Sequence, residues 1–144
     1  MKKIFDSEGV KRPFSITFGL QEGYGDTGKI HSFEEAVDLL KGWMKERASK
    51  GLPFLTGNVF PGQVVYAWSE GKGEAQGASE PVANFQGEVS VLYARNLPDE
   101  EVQSLLDEIA SSVGTSLGQN RVYVSYKDKT WILSQEDHTT PTGN

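Results

Sequence analysis

The chain has 144 residues, no cysteine, and a formal net charge of −6 with a pI near 4.9. That is a one-domain length. It excludes disulfides and thiolate metal sites, and the acidic balance argues against nucleic acid as a partner. The two histidines, His31 and His138, are too few for a His-rich metal site, and no cofactor motif stands out. No apolar run approaches the roughly 18 residues of a membrane span. Met1-Lys2-Lys3 is not followed by the apolar stretch of a signal peptide. A cytoplasmic protein without membrane contact is the expectation.

Residues 1–12 read as a loosely held arm. From Phe14 to Leu20 apolar and small polar residues alternate, with Phe14, Ile16, Phe18 and Leu20 on one face. Period two with aromatic and β-branched residues predicts a half-buried strand. A glycine-rich loop follows over 21–31. Ser32-Phe33-Glu34-Glu35 then has the spacing of a capping box, in which Ser32 accepts from the Glu35 amide and Glu35 reaches back to the Ser32 amide. The helix predicted over 32–50 carries Phe33, Ala36, Val37, Leu40, Trp43, Met44 and Ala48 on one stripe and stops at Gly51.

Residues 54–60 and 64–68 read as two strands joined by a turn at Pro61-Gly62. Residues 69–81, rich in glycine and polar side chains, read as a long exposed loop, and Val82 to Tyr93 as a long strand. Gly87 on the Phe85 face marks a bulge or a close approach. Pro98-Asp99-Glu100-Glu101 opens a second helix, with its acids at the positive end of the dipole. Val102, Leu105, Leu106, Ile109, Ala110, Val113 and Leu117 form the stripe and Gly118 ends it. A hairpin of 121–126 and 130–133 turns at Lys127-Asp128-Lys129.

This order predicts an α+β fold: a mainly antiparallel sheet with two amphipathic helices packed on one face, in a ferredoxin-like or related layout. A single domain is expected over 1–133. The tail 134–144 lacks apolar residues beyond Pro141 and is expected to be disordered.

The segment Gly23-Tyr24-Gly25-Asp26-Thr27-Gly28-Lys29 is the most suggestive for chemistry. It fits G-x-x-x-x-G-K. Ile30 stands where a phosphate-binding loop needs Ser or Thr for magnesium, which argues against a nucleotide triphosphatase. Backbone amides freed by the glycines, with Lys29 as counter-charge, suit a small anion or a nucleotide. The candidate ligand-binding set is therefore Gly23, Tyr24, Gly25, Gly28, Lys29 and His31, with Tyr66 and Trp68 from an aromatic sheet face. If helices cover only one face, the aromatics on the other need a partner, and a second copy of the chain fits best.

Together these features predict a non-enzymatic small-ligand-binding protein acting as a homo-oligomer, of the accessory kind that phages and bacteria encode, with no catalytic residue assigned. Two alternatives compete with it. One is a metal-free proton-transfer enzyme using Tyr24, His31 and Glu22. The other is a protein–protein adaptor built on the aromatic face.

Overall fold

Alternation along the first strand decides where the core lies. The computed structural model describes residues 1–23, 28–71 and 73–136. Its elements are β1 (Pro13–Gly19), α1 (Phe33–Ser49), β2 (Asn58–Ser69), β3 (Ala75–Glu88), α2 (Asp99–Ser116), β4 (Arg121–Tyr126) and β5 (Lys129–Ser134). The strands form one antiparallel five-stranded sheet in the order β2-β3-β1-β4-β5. The α+β class read from the sequence is therefore the observed one.

Phe14, Ile16 and Phe18 of β1, Ala83 and Phe85 of β3, and Val122, Val124 and Tyr126 of β4 are buried. They share the core with Ala36, Leu40 and Trp43 of α1 and the full apolar stripe of α2. Among the described residues, the opposite face of the sheet carries no helix. Gly114 allows the close fit of α2 on β4, since a Cβ there would lie 2.5 Å from Val122 Cγ2. This glycine interrupts the helical pattern for a packing reason.

Both helix starts follow local chemistry. The Ser32 hydroxyl accepts from the Glu35 amide at 3.1 Å. The second half of the capping box is absent, because the Glu35 carboxylate is engaged by His31. Pro98 is the cap of α2, and the acids that follow lie in its first turn. Asp99 there ties together three parts of the chain. It accepts from the Tyr126 hydroxyl at 2.5 Å, from Arg12 Nη2 at 2.8 Å and from Lys127 Nζ at 3.0 Å. Arg12 Nε also donates to the Tyr126 hydroxyl at 2.9 Å.

Several sequence-based boundaries move. Pro61-Gly62 is no turn: β2 runs through it, with Pro61 opposite Ala83 and Gly62 opposite Val82. The outermost strand of a sheet tolerates proline because its outer donors go unused. The loop expected over 69–81 is largely strand, since β2 and β3 form one long hairpin paired out to Ser69↔Ala75. The strand expected to reach Tyr93 ends at Glu88, and a turn from Val91 leaves Tyr93 exposed. Gly87 is a close approach, as expected, with a Cβ position 2.9 Å from both Phe14 Cζ and Thr56 O. At the far end β5 includes Ser134, and the Gln135 amide still donates to Asn120 O at 2.9 Å. Order thus extends past the expected boundary at 133. The remainder of the expected tail, 137–144, lies outside the described residues.

Candidate functional site

The helix-free face is lined along the central strand by Ser15, Thr17 and Gly19, all small. Its flanks carry larger side chains. Phe60, Val64, Tyr66 and Trp68 on β2, Tyr123 on β4 and Ile132 on β5 are exposed. Between these flanks lies a pocket of about 380 Å³. Its floor is Thr17, Gly19 and Val82, and its β2 wall is Val64 and Tyr66. Glu80 enters from β3, and Arg121 and Tyr123 from β4. Gln21, Gly23, Gln119 and Asn120 close the end where the loop after β1 meets the loop after α2.

Register explains the composition. Tyr66 lies opposite Ala78 and Val64 opposite Glu80. Residues two apart share a face, so Tyr66 and Glu80 both reach the open side. The Tyr66 hydroxyl donates to Glu80 Oε1 at 2.9 Å. The Tyr66 ring stacks on Trp68, with centroids 5.8 Å apart and planes at 29°. One acid, one arginine and two tyrosines therefore converge on a half-enclosed space with apolar walls. Such a set suits a ligand that carries a positive centre, an acidic group and a flat ring.

The glycine-rich segment is described at residues 21–23 and 28–31. Its two limbs form a short antiparallel ladder. The Glu22 amide donates to Lys29 O at 2.8 Å, the His31 amide to Leu20 O at 2.7 Å, and Gln21 bridges Ile30. These amides are spent within the chain. Gly28 is required by the close approach of the limbs, since a Cβ would fall 1.7 Å from Glu22 O. Gly23 has φ +72 and lines the pocket. Lys29 is exposed. Tyr24 and Gly25 lie outside the described residues.

His31 is buried between two carboxylates. Its Nε2 contacts Glu22 Oε2 at 2.6 Å and its Nδ1 contacts Glu35 Oε2. Of the expected set, Gly23 and Tyr66 reach the pocket, and Trp68 backs Tyr66. Glu80, Thr17, Gln119 and Arg121 escaped the sequence reading. Glu80 was hidden inside the supposed loop; the signal that finds it is the pairing of Val64, Tyr66 and Trp68 with a second strand.

No known sequence family matches the chain, and no curated protein resembles it in sequence. Solved structures do. A phage SAM lyase in complex with S-methyl-5'-thioadenosine is similar with a TM-score of 0.62, at 15% identity, over 93% of this chain and 95% of that one. A phage SAM lyase in the apo state is similar with a TM-score of 0.59, at 13% identity, over 96% and 98%. At such identity the likeness establishes a shared fold. It also overturns the expectation of a non-enzymatic binding protein, because the chain has the fold of an enzyme over nearly its whole length.

Proposed function

We propose that the chain is a lyase acting on S-adenosylmethionine, with its site in the pocket on the open sheet face. The observation that carries this reading is the Tyr66–Glu80 hydrogen bond inside that pocket. The shared fold with an enzyme of this activity supports it.

The pocket's chemistry fits each part of the substrate. The amino-acid head has an ammonium, which suits the Glu80 carboxylate, and a carboxylate, which suits Arg121 at the rim. The purine suits the faces of Tyr66 and Tyr123. The reaction breaks a carbon–sulfur bond, and the sulfur leaves with the electron pair as a neutral thioether. Positive charge on sulfur is lost on the way to the transition state. An anion beside the sulfur would stabilise the starting state more than the transition state and slow the step. Glu80 therefore serves the reaction by holding the ammonium and setting the chain's geometry.

The atoms balance without a protein nucleophile. The substrate's own carboxylate oxygen closes on the carbon that sulfur leaves, and no proton is transferred. A ring closure of this kind gains its rate from orientation. The purine product is S-methyl-5'-thioadenosine.

The open face also supports a homo-oligomer. Six large apolar side chains stand exposed on it, and a second copy laid over them would remove this surface from water and deepen the pocket. A cytoplasmic location goes with a cytoplasmic substrate, and among the described residues no helix is long and apolar enough to cross a membrane.

The test is to incubate the purified protein with S-adenosylmethionine and chromatograph the products. S-methyl-5'-thioadenosine should accumulate, and Glu80→Gln should slow its formation by about 100-fold, the usual effect of misplacing reacting groups. No thioether product, or an undiminished rate in Glu80→Gln, refutes the assignment.

A further inference from the structure

We infer that His31 is a positioning residue for this pocket, acting as a protonation-dependent clasp on the wall formed by the loop after β1. The inference rests on reading the pocket as the substrate site. The geometry is a chain of contacts. His31 Nδ1 meets Glu35 of the first turn of α1, and Nε2 meets Glu22 at 2.6 Å. The Glu22 side chain is seated against Gly118, the left-handed residue after α2, where a Cβ would lie 2.5 Å from the Glu22 carboxyl carbon. One residue on, Gln119 Nε2 donates to Gln21 O at 3.0 Å. Gln21, Gly23 and Gln119 all line the pocket. The clasp thus joins the start of α1, the end of α2 and both limbs of the loop at the pocket's closed end.

Both imidazole nitrogens donate only when the ring carries its second proton. In that form the two contacts are charge-assisted hydrogen bonds. In the neutral form one nitrogen presents a lone pair to a carboxylate, and that contact turns repulsive. Among the described residues, the charged groups facing the ring are Glu22 from the loop and Glu35 from α1. The end of α2 contributes only Gly118 and the neutral Gln119. The clasp therefore holds when both ring nitrogens of His31 carry a proton and loosens when one of them is bare. His31 stays outside the chemistry, so the loss falls on binding.

The experiment follows two readouts on the full chain from pH 6 to pH 9. One is hydrogen-exchange protection of the Glu22 and His31 amides, corrected for the intrinsic pH dependence. The other is the dissociation constant of S-methyl-5'-thioadenosine by calorimetry. In the wild type, protection should fall about 10-fold, as for loss of one charge-assisted bond, and binding should weaken in parallel. In His31→Gln both profiles should be flat. Flat wild-type protection, or an equally steep profile in His31→Gln, overturns the clasp. Protection that falls while binding holds constant overturns its role in positioning. A wild type that never binds the thioether yet loses protection refutes the lyase reading and leaves the clasp standing.

Discussion

Tyr126→Phe isolates the bond network that locks the start of α2 to the sheet. The Tyr126 ring is almost fully buried in the core and remains so in phenylalanine. Only the hydroxyl is lost, with its donation to Asp99 at 2.5 Å and its acceptance from Arg12 Nε at 2.9 Å. Hydrogen bonds to charged groups contribute about 1.5–3 kcal/mol each when no water replaces the partner. Here Asp99 is part-exposed and keeps Arg12 and Lys127, so most of that is recovered by solvent and by the remaining pair. A net loss of about 1–2 kcal/mol at pH 7 is expected, or roughly 3–8 °C in Tm for a domain of this size. Urea titration followed by tryptophan fluorescence should show a lower midpoint with an unchanged slope.

The same residue sets an alkaline limit. Burial, and then the bond to Asp99, push the Tyr126 hydroxyl up to about 12 from its ordinary 10. A raised value in the folded state means stability that is fully present below pH 10 and lost as pH climbs towards 12. The gap between wild type and Tyr126→Phe should therefore be constant up to about pH 10 and shrink above it. Equal stability of the two proteins at pH 7, or a gap that does not narrow above pH 10, refutes this account of the network.

Three more outcomes follow from the same geometry. At the acid end, the bonds from Tyr126, Lys127 and Arg12 hold the Asp99 carboxyl well below its usual range, so its contribution should vanish only as pH falls below that of ordinary carboxylates, and Asp99→Asn should flatten the acid limb of a stability–pH curve. Gly114→Ala places a methyl 2.5 Å from Val122 Cγ2; the strain of about 1–3 kcal/mol should outweigh the ~1 kcal/mol gained in helix propensity, and a higher denaturation midpoint would contradict the packing. Gly28→Ala forces the loop limbs apart at Glu22 O, and should weaken thioether binding at least about 10-fold while moving Tm only a few degrees, since the collision is confined to a surface loop.

What could be read from the sequence depended on whether the local signal and the tertiary outcome agreed. The strand from Phe14 and both helices carried strong periodicity, and all three formed within a residue or two of expectation. The β2–β3 hairpin failed because its outer half has no buried face. Val65 and Tyr66 are both exposed, so nothing imposed alternation on Glu74 to Pro81, and small or polar residues there resemble a loop. The site suffered for it, since Glu80 lies on that stretch. The glycines of the loop after β1 were legible as a special backbone, and Gly25 of the expected anion cradle lies outside the described residues. Gly28 relieves a collision, and the limb amides are spent on each other. His31 stood out as a single histidine before a helix, but the two carboxylates flanking it are brought together only by the loop's turn and the helix's first turn.

Pro61 bears on how molecules of this chain meet in concentrated solution. Among the described residues β2 pairs only with β3, which leaves it at the edge of the sheet. Proline offers no hydrogen there, and its ring obstructs an incoming strand. Chain-upon-chain addition along that border, the route to fibres, is interrupted at the fourth residue of what would otherwise be a template of 12 residues. The border is protected against unlimited growth.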